Sequence, residues 1–175
     1  GSGLSMVDWR PIAGILPPIT DAQWNEVFEM YRSSPEYQSV NKGMSIDSFK
    51  DIFFWEYLHR VMGRIVGLLC LVPYLWFLFR GKLSAGLKLK GLLLLLLVGA
   101  QGLMGWYMVK SGLVNVPEVS HYRLASHLGL AFLVFGFGWW MLLDLDKEQD
   151  SPSNNNAVSY RPWAIGFLLL LCVQI

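Results

Sequence analysis

Apolar residues fall into four long blocks along this chain. Ile52 to Phe79 is the first, and its opening half carries Glu56, His59, Arg60 and Arg64. Lys90 to Val109 is the second, interrupted by Gln101, and about Leu124 to Leu143 is the third, with His127 near its start. The fourth begins at Trp163 and stops with the chain at Ile175. A spanning helix needs roughly 20 apolar residues to cross about 30 Å of hydrocarbon. The first three blocks meet that length. The fourth gives roughly 20 Å of helix, too short to span, so it is expected to be the start of a truncated span and the chain a piece of something longer. Ahead of these blocks, Thr20 and Gln23 have the spacing of a capping box before Trp24, Val27, Phe28 and Tyr31, an i, i+3, i+4, i+7 stripe. That predicts a short amphipathic helix ending near Ser34-Pro35. It would either lie on the membrane face as a lid or, the plainer reading, pack on the helical bundle.

The expected fold is all-α, a polytopic membrane helical bundle. Its parts are an outer loop with a short amphipathic helix (1–51), three transmembrane helices (52–143), an inner polar linker containing the run DSPSNNN (144–162), and the start of the fourth span (163–175). Composition agrees. Of 175 residues, 54% are hydrophobic and 15% charged, with a mean hydropathy of +0.40, whereas soluble domains carry about 25% charged residues. Fourteen basic against thirteen acidic residues give a net charge of +1, which excludes a nucleic-acid binder driven by bulk charge. The apolar content excludes a disordered chain. Cys70 and Cys172 lie in apolar runs, where they supply neither a disulfide framework nor a thiolate metal site.

Orientation follows from basic residues in short loops. FRGKLSAGLKLK holds Arg80, Lys82, Lys88 and Lys90, whereas KSGLVNVPEVSHYR on the other side offers Lys110 and Arg123. The 80–90 loop is therefore expected in the cytoplasm or matrix, with residues 1–50 outside. Those residues are not a signal peptide, having no basic start followed by an apolar core.

Ionisable residues at membrane depth are costly and face the bundle interior, where they serve function. Glu56 and His59 are three apart and share a helix face, which Gly63 and Gly67 continue. Carboxylate, imidazole and two glycines offer a ligand and room for a flat ring beside it. If the first and third spans both start from outside, His59 lies about seven residues past Ile52 and His127 a similar distance past Ser120, roughly 10 Å of rise each. Two imidazoles at one depth can hold a haem iron. Arg60, Arg64 and Arg123 are placed to pair with carboxylates such as haem propionates. Each residue also has a duller reading. A membrane histidine often bonds a neighbouring helix, and glycines at 99, 102 and 105 can simply permit close packing. Gln101 can bond a ligand or another helix. His121 lies about 240° around the helix from His127 and belongs at the interface. One Glu-x-x-His copy is too few for a di-iron bundle.

These residues sit in segments that resemble a known family. GLSMVDWRPI (3–12), FFWEYLHRVMGRIVG (53–67), QGLMGWYMVKSGL (101–113) and VSHYRLASHL (119–128) look like haem A synthase, in its proteobacterial and mitochondrial branch. The likeness covers about residues 1–143. It implies eight spanning helices in two four-helix halves, each half holding a haem between two histidines, with this chain the first half lacking its opening helix, plus the beginning of the fifth. It implies His59 and His127 as axial residues of the substrate haem O, Glu56 as the catalytic carboxylate, and a haem b in the second half, absent from this chain. The implied reaction oxidises the C8 methyl of haem O to a formyl with water as oxygen source, giving haem A. This piece alone is expected to be inactive. Implied partners are the bilayer, the haem O-producing enzyme and the assembly of terminal oxidases, with a homo-oligomer open. The implied location is a bacterial inner membrane or the mitochondrial inner membrane. Another branch carries a cysteine pair in the first outer loop, and residues 1–50 contain none. The rival readings are a bis-histidine cytochrome b-type electron carrier, which has no use for Glu56, and a helical assembly factor with structural histidines.

Overall fold

The computed structural model describes residues 6, 16–112, 119–149, 162, 165, 166 and 169. Most of GLSMVDWRPI, the later part of the polar linker, and the expected fourth span with Cys172 lie outside or almost outside the described residues. Five helices follow in order: α1 (Asp21–Arg32), α2 (Pro35–Ser39), α3 (Ile46–Phe79), α4 (Ala85–Gly112) and α5 (His121–Gln149). No strand occurs among the described residues. α3, α4 and α5 are long and apolar enough to cross a membrane. Only 11%, 6% and 22% of their most apolar windows are buried within the protein. Side chains such as Leu68, Val72, Leu96, Leu103, Phe132 and Leu133 are exposed, as expected where lipid rather than a protein core receives them.

The helices run past the apolar blocks at nearly every end. α3 begins at Ile46, α4 at Ala85, and α5 runs from His121 to Gln149, so the linker expected to begin at Asp144 opens as helix. Hydrophobicity marks the stretch that lipid can accept. Helix itself ends where capping and turn chemistry stop it. α3 stops at such a turn. Gly81 has φ 64°, its N–H donates to the Leu78 carbonyl at 3.1 Å, and the Lys82 N–H donates to the Phe77 carbonyl at 3.0 Å. This pair of bonds needs a left-handed residue, which glycine supplies. Pro73 lies inside α3 and removes one bond to the preceding turn, a loss spanning helices tolerate.

The chain divides into two compact units. The first holds residues up to Val61 with Leu103–Ser126, and its core is aromatic. Thr20 and Gln23 form the capping box of α1, and Ser34 caps α2 ahead of Pro35 at its first turn. The stripe Trp24, Val27, Phe28 and Tyr31 packs with Tyr37 against Phe49 and Phe53 on the first turns of α3. Tyr31 stacks on Phe49 at 5.0 Å, and Trp24 meets Phe53 edge-on at 5.2 Å. Of the two readings of this helix, packing on a spanning helix is the one observed. Tyr31 is fully buried and accepts a 2.7 Å hydrogen bond from Asn41 Nδ2. Burial pushes its phenol above the ordinary pKa, against a smaller opposing effect of that bond.

The second unit holds Met62–Gly102 and the residues from His127 onward. Its core gathers Val66, Cys70 and Val134, with Leu94, Leu95, Leu97, Val98, Phe135 and Leu142 around them. Cys70 is a buried free thiol. Near the α3–α4 turn, Tyr74 donates from its hydroxyl to the Lys88 carbonyl at 3.0 Å. Lys90 pairs with Asp144 and lies 4.8 Å from the Trp140 ring centre.

Candidate functional site

In the first unit, α3 presents Glu56 and Arg60 one turn apart, as the i, i+4 spacing dictates. Their side chains are 9% and 8% exposed and form an ion pair at 2.5 Å, Arg60 Nη2 to Glu56 Oε1. The second carboxylate oxygen, Oε2, accepts from the Met6 main-chain N–H at 3.1 Å. Arg60 Nη2 also donates to the Met6 carbonyl at 3.1 Å. Two side chains of α3 and the main-chain N–H and carbonyl of one residue, 50 positions before Glu56, thus close a ring. His59, on the same helix between them in sequence, is exposed.

The second unit carries Arg64, partly buried on α3, and His127, partly buried on α5. Gln101 Nε2 on α4 lies 3.5 Å from His127 Nε2, the outer limit of a hydrogen bond. The Gln101 Oε1 oxygen is buried and has no hydrogen-bond partner among the described residues. A Cβ placed at Gly67, Gly99, Gly102 or Gly129 would meet nothing within 4 Å. Among the described residues no neighbour packs closely against Gly99 or Gly102. An imidazole, an unsatisfied buried amide oxygen and open glycine surfaces suit a flat macrocycle with polar edges. Among the described residues no group of three or more His, Cys, Asp or Glu side chains gathers to hold a bare metal ion. The donor set fits iron that arrives with ligands of its own.

Arg123 belongs to the first unit and places its guanidinium 5.0 Å from the Tyr107 ring centre. Lys110 stacks on Trp106 at 4.9 Å, and Arg80, in the second unit, on Trp76 at 4.6 Å. The sequence assigned Arg60 and Arg123 to propionates. The structure shows each already engaged, Arg60 with Glu56 and Met6, and Arg123 with an aromatic face. His121 opens α5 and is exposed, as its place on the helix requires. His59 is the fourteenth residue of α3 and His127 the seventh of α5. Sequence reasoning missed Met6, whose part is played by its main chain and leaves no side-chain signal. It also separated Lys90 and Asp144, placing one in a basic loop and the other in an acidic linker.

These features define a polytopic helical membrane protein with a buried carboxylate–arginine pair beside a histidine on one spanning helix and a glutamine-bonded histidine on another. The family model described as COX15-CtaA, cytochrome oxidase assembly protein, matches residues 1–175, and the chain belongs to that family. It is 45% identical over 99% of its length to the heme A synthase of Paramagnetospirillum magneticum, covering 50% of that protein. It is 52% identical over 90% of its length to the heme A synthase of Nitrosospira multiformis, covering 44%, and 47% identical over 99% to that of Rhodospirillum centenum, covering 46%. The chain thus spans about half the length of these relatives. No solved structure matches it.

Proposed function

We propose that the protein carrying this chain is a haem A synthase of an energy-conserving inner membrane, converting haem O to haem A for terminal oxidases. The observation that carries the reading is the buried Glu56 carboxylate, held by Arg60 and Met6 one turn from His59, in a chain whose relatives are named heme A synthase. The reaction takes the C8 methyl to a formyl, R–CH3 + H2O → R–CHO + 4 H⁺ + 4 e⁻, through two successive hydroxylations. His59 and His127 serve as axial ligands of the substrate iron through neutral imidazole nitrogens. Arg64 and Arg123 meet the propionates, while Arg60 holds Glu56 and the Met6 carbonyl. Withdrawing electrons from the methyl leaves positive charge on that carbon. Glu56 lies where a fixed carboxylate can stabilise that charge or take a proton from the attacking water. Haem b, in the half of the relatives' length that this chain does not cover, supplies electron transfer. The basic 80–90 loop faces the cytoplasm or matrix, which sets Glu56 and His59 toward the opposite side. The haem O-producing enzyme is the proposed donor of substrate.

The test is pigment analysis of the full-length protein from cells making haem O, by absorption, chromatography and mass of the extracted haem. Wild type should yield haem O and haem A, and His59→Ala should lose the haem O. Glu56→Gln should keep haem O and make no haem A. Recovery of haem b alone would make the protein an electron carrier, and histidine variants with unchanged pigment would make both imidazoles structural.

A further inference from the structure

The Glu56 carboxylate is gripped on both oxygens, Oε1 by Arg60 and Oε2 by the Met6 N–H, and Arg60 itself is tied to the Met6 carbonyl. We propose that Arg60 is a positioning residue for Glu56, holding its carboxylate in one orientation for the methyl oxidation, with the Met6 main chain as the third member of the clamp. This rests on the reading of Glu56 as the carboxylate that meets the substrate.

Three observations support the role. Both side chains are less than a tenth exposed, so water cannot take over either partner's hydrogen bonds. The planar guanidinium constrains a carboxylate more tightly than a point charge does. The two contacts to Met6 differ in kind, one to each of its polar main-chain atoms, and together they fix the ring against rotation of either side chain. A glutamate alone has three side-chain torsions to order, and a carboxylate acting on one carbon atom depends on where it points. A propionate ligand would serve a different purpose, raising affinity for the whole haem without aiming Glu56.

The experiment separates these by measuring two quantities in the full-length protein in membranes, the haem O retained per protein and the haem A formed per retained haem O. Arg60→Gln and Arg60→Lys should leave haem O retention unchanged and lower haem A formation by about 10²-fold, the effect of a small misplacement of a reacting group. Arg60→Lys keeps the charge and so holds the fold if Arg60→Gln fails to accumulate. Loss of retained haem O with normal conversion of what remains would overturn the proposal and make Arg60 a propionate ligand. Normal conversion in Arg60→Lys and Arg60→Gln would overturn it as well. Normal conversion in Glu56→Gln would instead overturn the parent reading of Glu56, and this one with it.

Discussion

Replacing Phe49 with alanine should release α1 and α2 from α3 while leaving the spans in place. Phe49 is fully buried and its ring lies 5.0 Å from Tyr31, 5.1 Å from Phe28, 5.8 Å from Phe53 and 6.5 Å from Trp24. Truncating a buried phenylalanine costs about 3–5 kcal/mol in lost transfer energy and cavity. The ring pairs are part of that figure rather than an addition to it, since measured truncations already contain them. A cost of about 4 kcal/mol raises the open population roughly 10³-fold, at about 1.4 kcal/mol per factor of ten. Hydrogen exchange in lipid nanodiscs reads this directly, because α1 and α2 amides exchange through local opening. The expected result is a collapse of their protection with α4 unaffected. Phe54→Ala is the control, its side chain being 53% exposed on the same helix. A fall in α1 protection of less than about tenfold, equivalent to about 1.4 kcal/mol, would refute the assignment of the aromatic cluster as the support of this region. So would an equal fall throughout the spans.

Two further outcomes follow from single contacts. A Cβ at Gly91 would lie 2.5 Å from the Tyr74 ring, whose hydroxyl is tied to the Lys88 carbonyl, so Gly91→Ala should cost about 1–3 kcal/mol. Thermal unfolding in detergent should show that loss, and Gly99→Ala, with open space around it, should not. Tyr31 has a folded-state pKa raised above its unfolded value. The stability it contributes is therefore fully present below pH about 10 and lost as pH rises through the folded pKa. Tyrosinate absorption should show a late-ionising component that is lost in Tyr31→Phe, and an unchanged titration in that variant would refute the burial effect.

Fold class and the α1 capping box were legible in the sequence, since hydrophobic length and a Thr-x-x-Gln spacing are local signals. The stripe of Trp24, Val27, Phe28 and Tyr31 gave its buried face but not its partner, because nothing local says that α3 starts at Ile46. Phe49 lies on that early extension, and Phe53 just inside the edge of the apolar block. The candidate site was legible as residue types and spacing on α3. Its wiring was not. Sequence shows the Arg60 guanidinium and hides its pairing with the Glu56 carboxylate one turn away. Met6 contributes only peptide atoms, which any residue could supply. Lys90 and Asp144 meet across 54 residues of chain, and pairing at that range is a product of packing.

The cation–aromatic contacts at the two ends of α4 also set a length. Lys90 rests by Trp140 and Lys110 by Trp106, and the twenty-residue step from one lysine to the other makes about 30 Å of helix, the thickness of a typical hydrocarbon core. α4 therefore acts as a gauge with a charged stop at each end. A thicker bilayer would drag a lysine inward or thin around the helix, and a thinner one would force tilt, each at a fraction of a kcal/mol per Å. The lipid thickness of the host membrane thus becomes a parameter of how this helix, and Gln101 midway along it, is held.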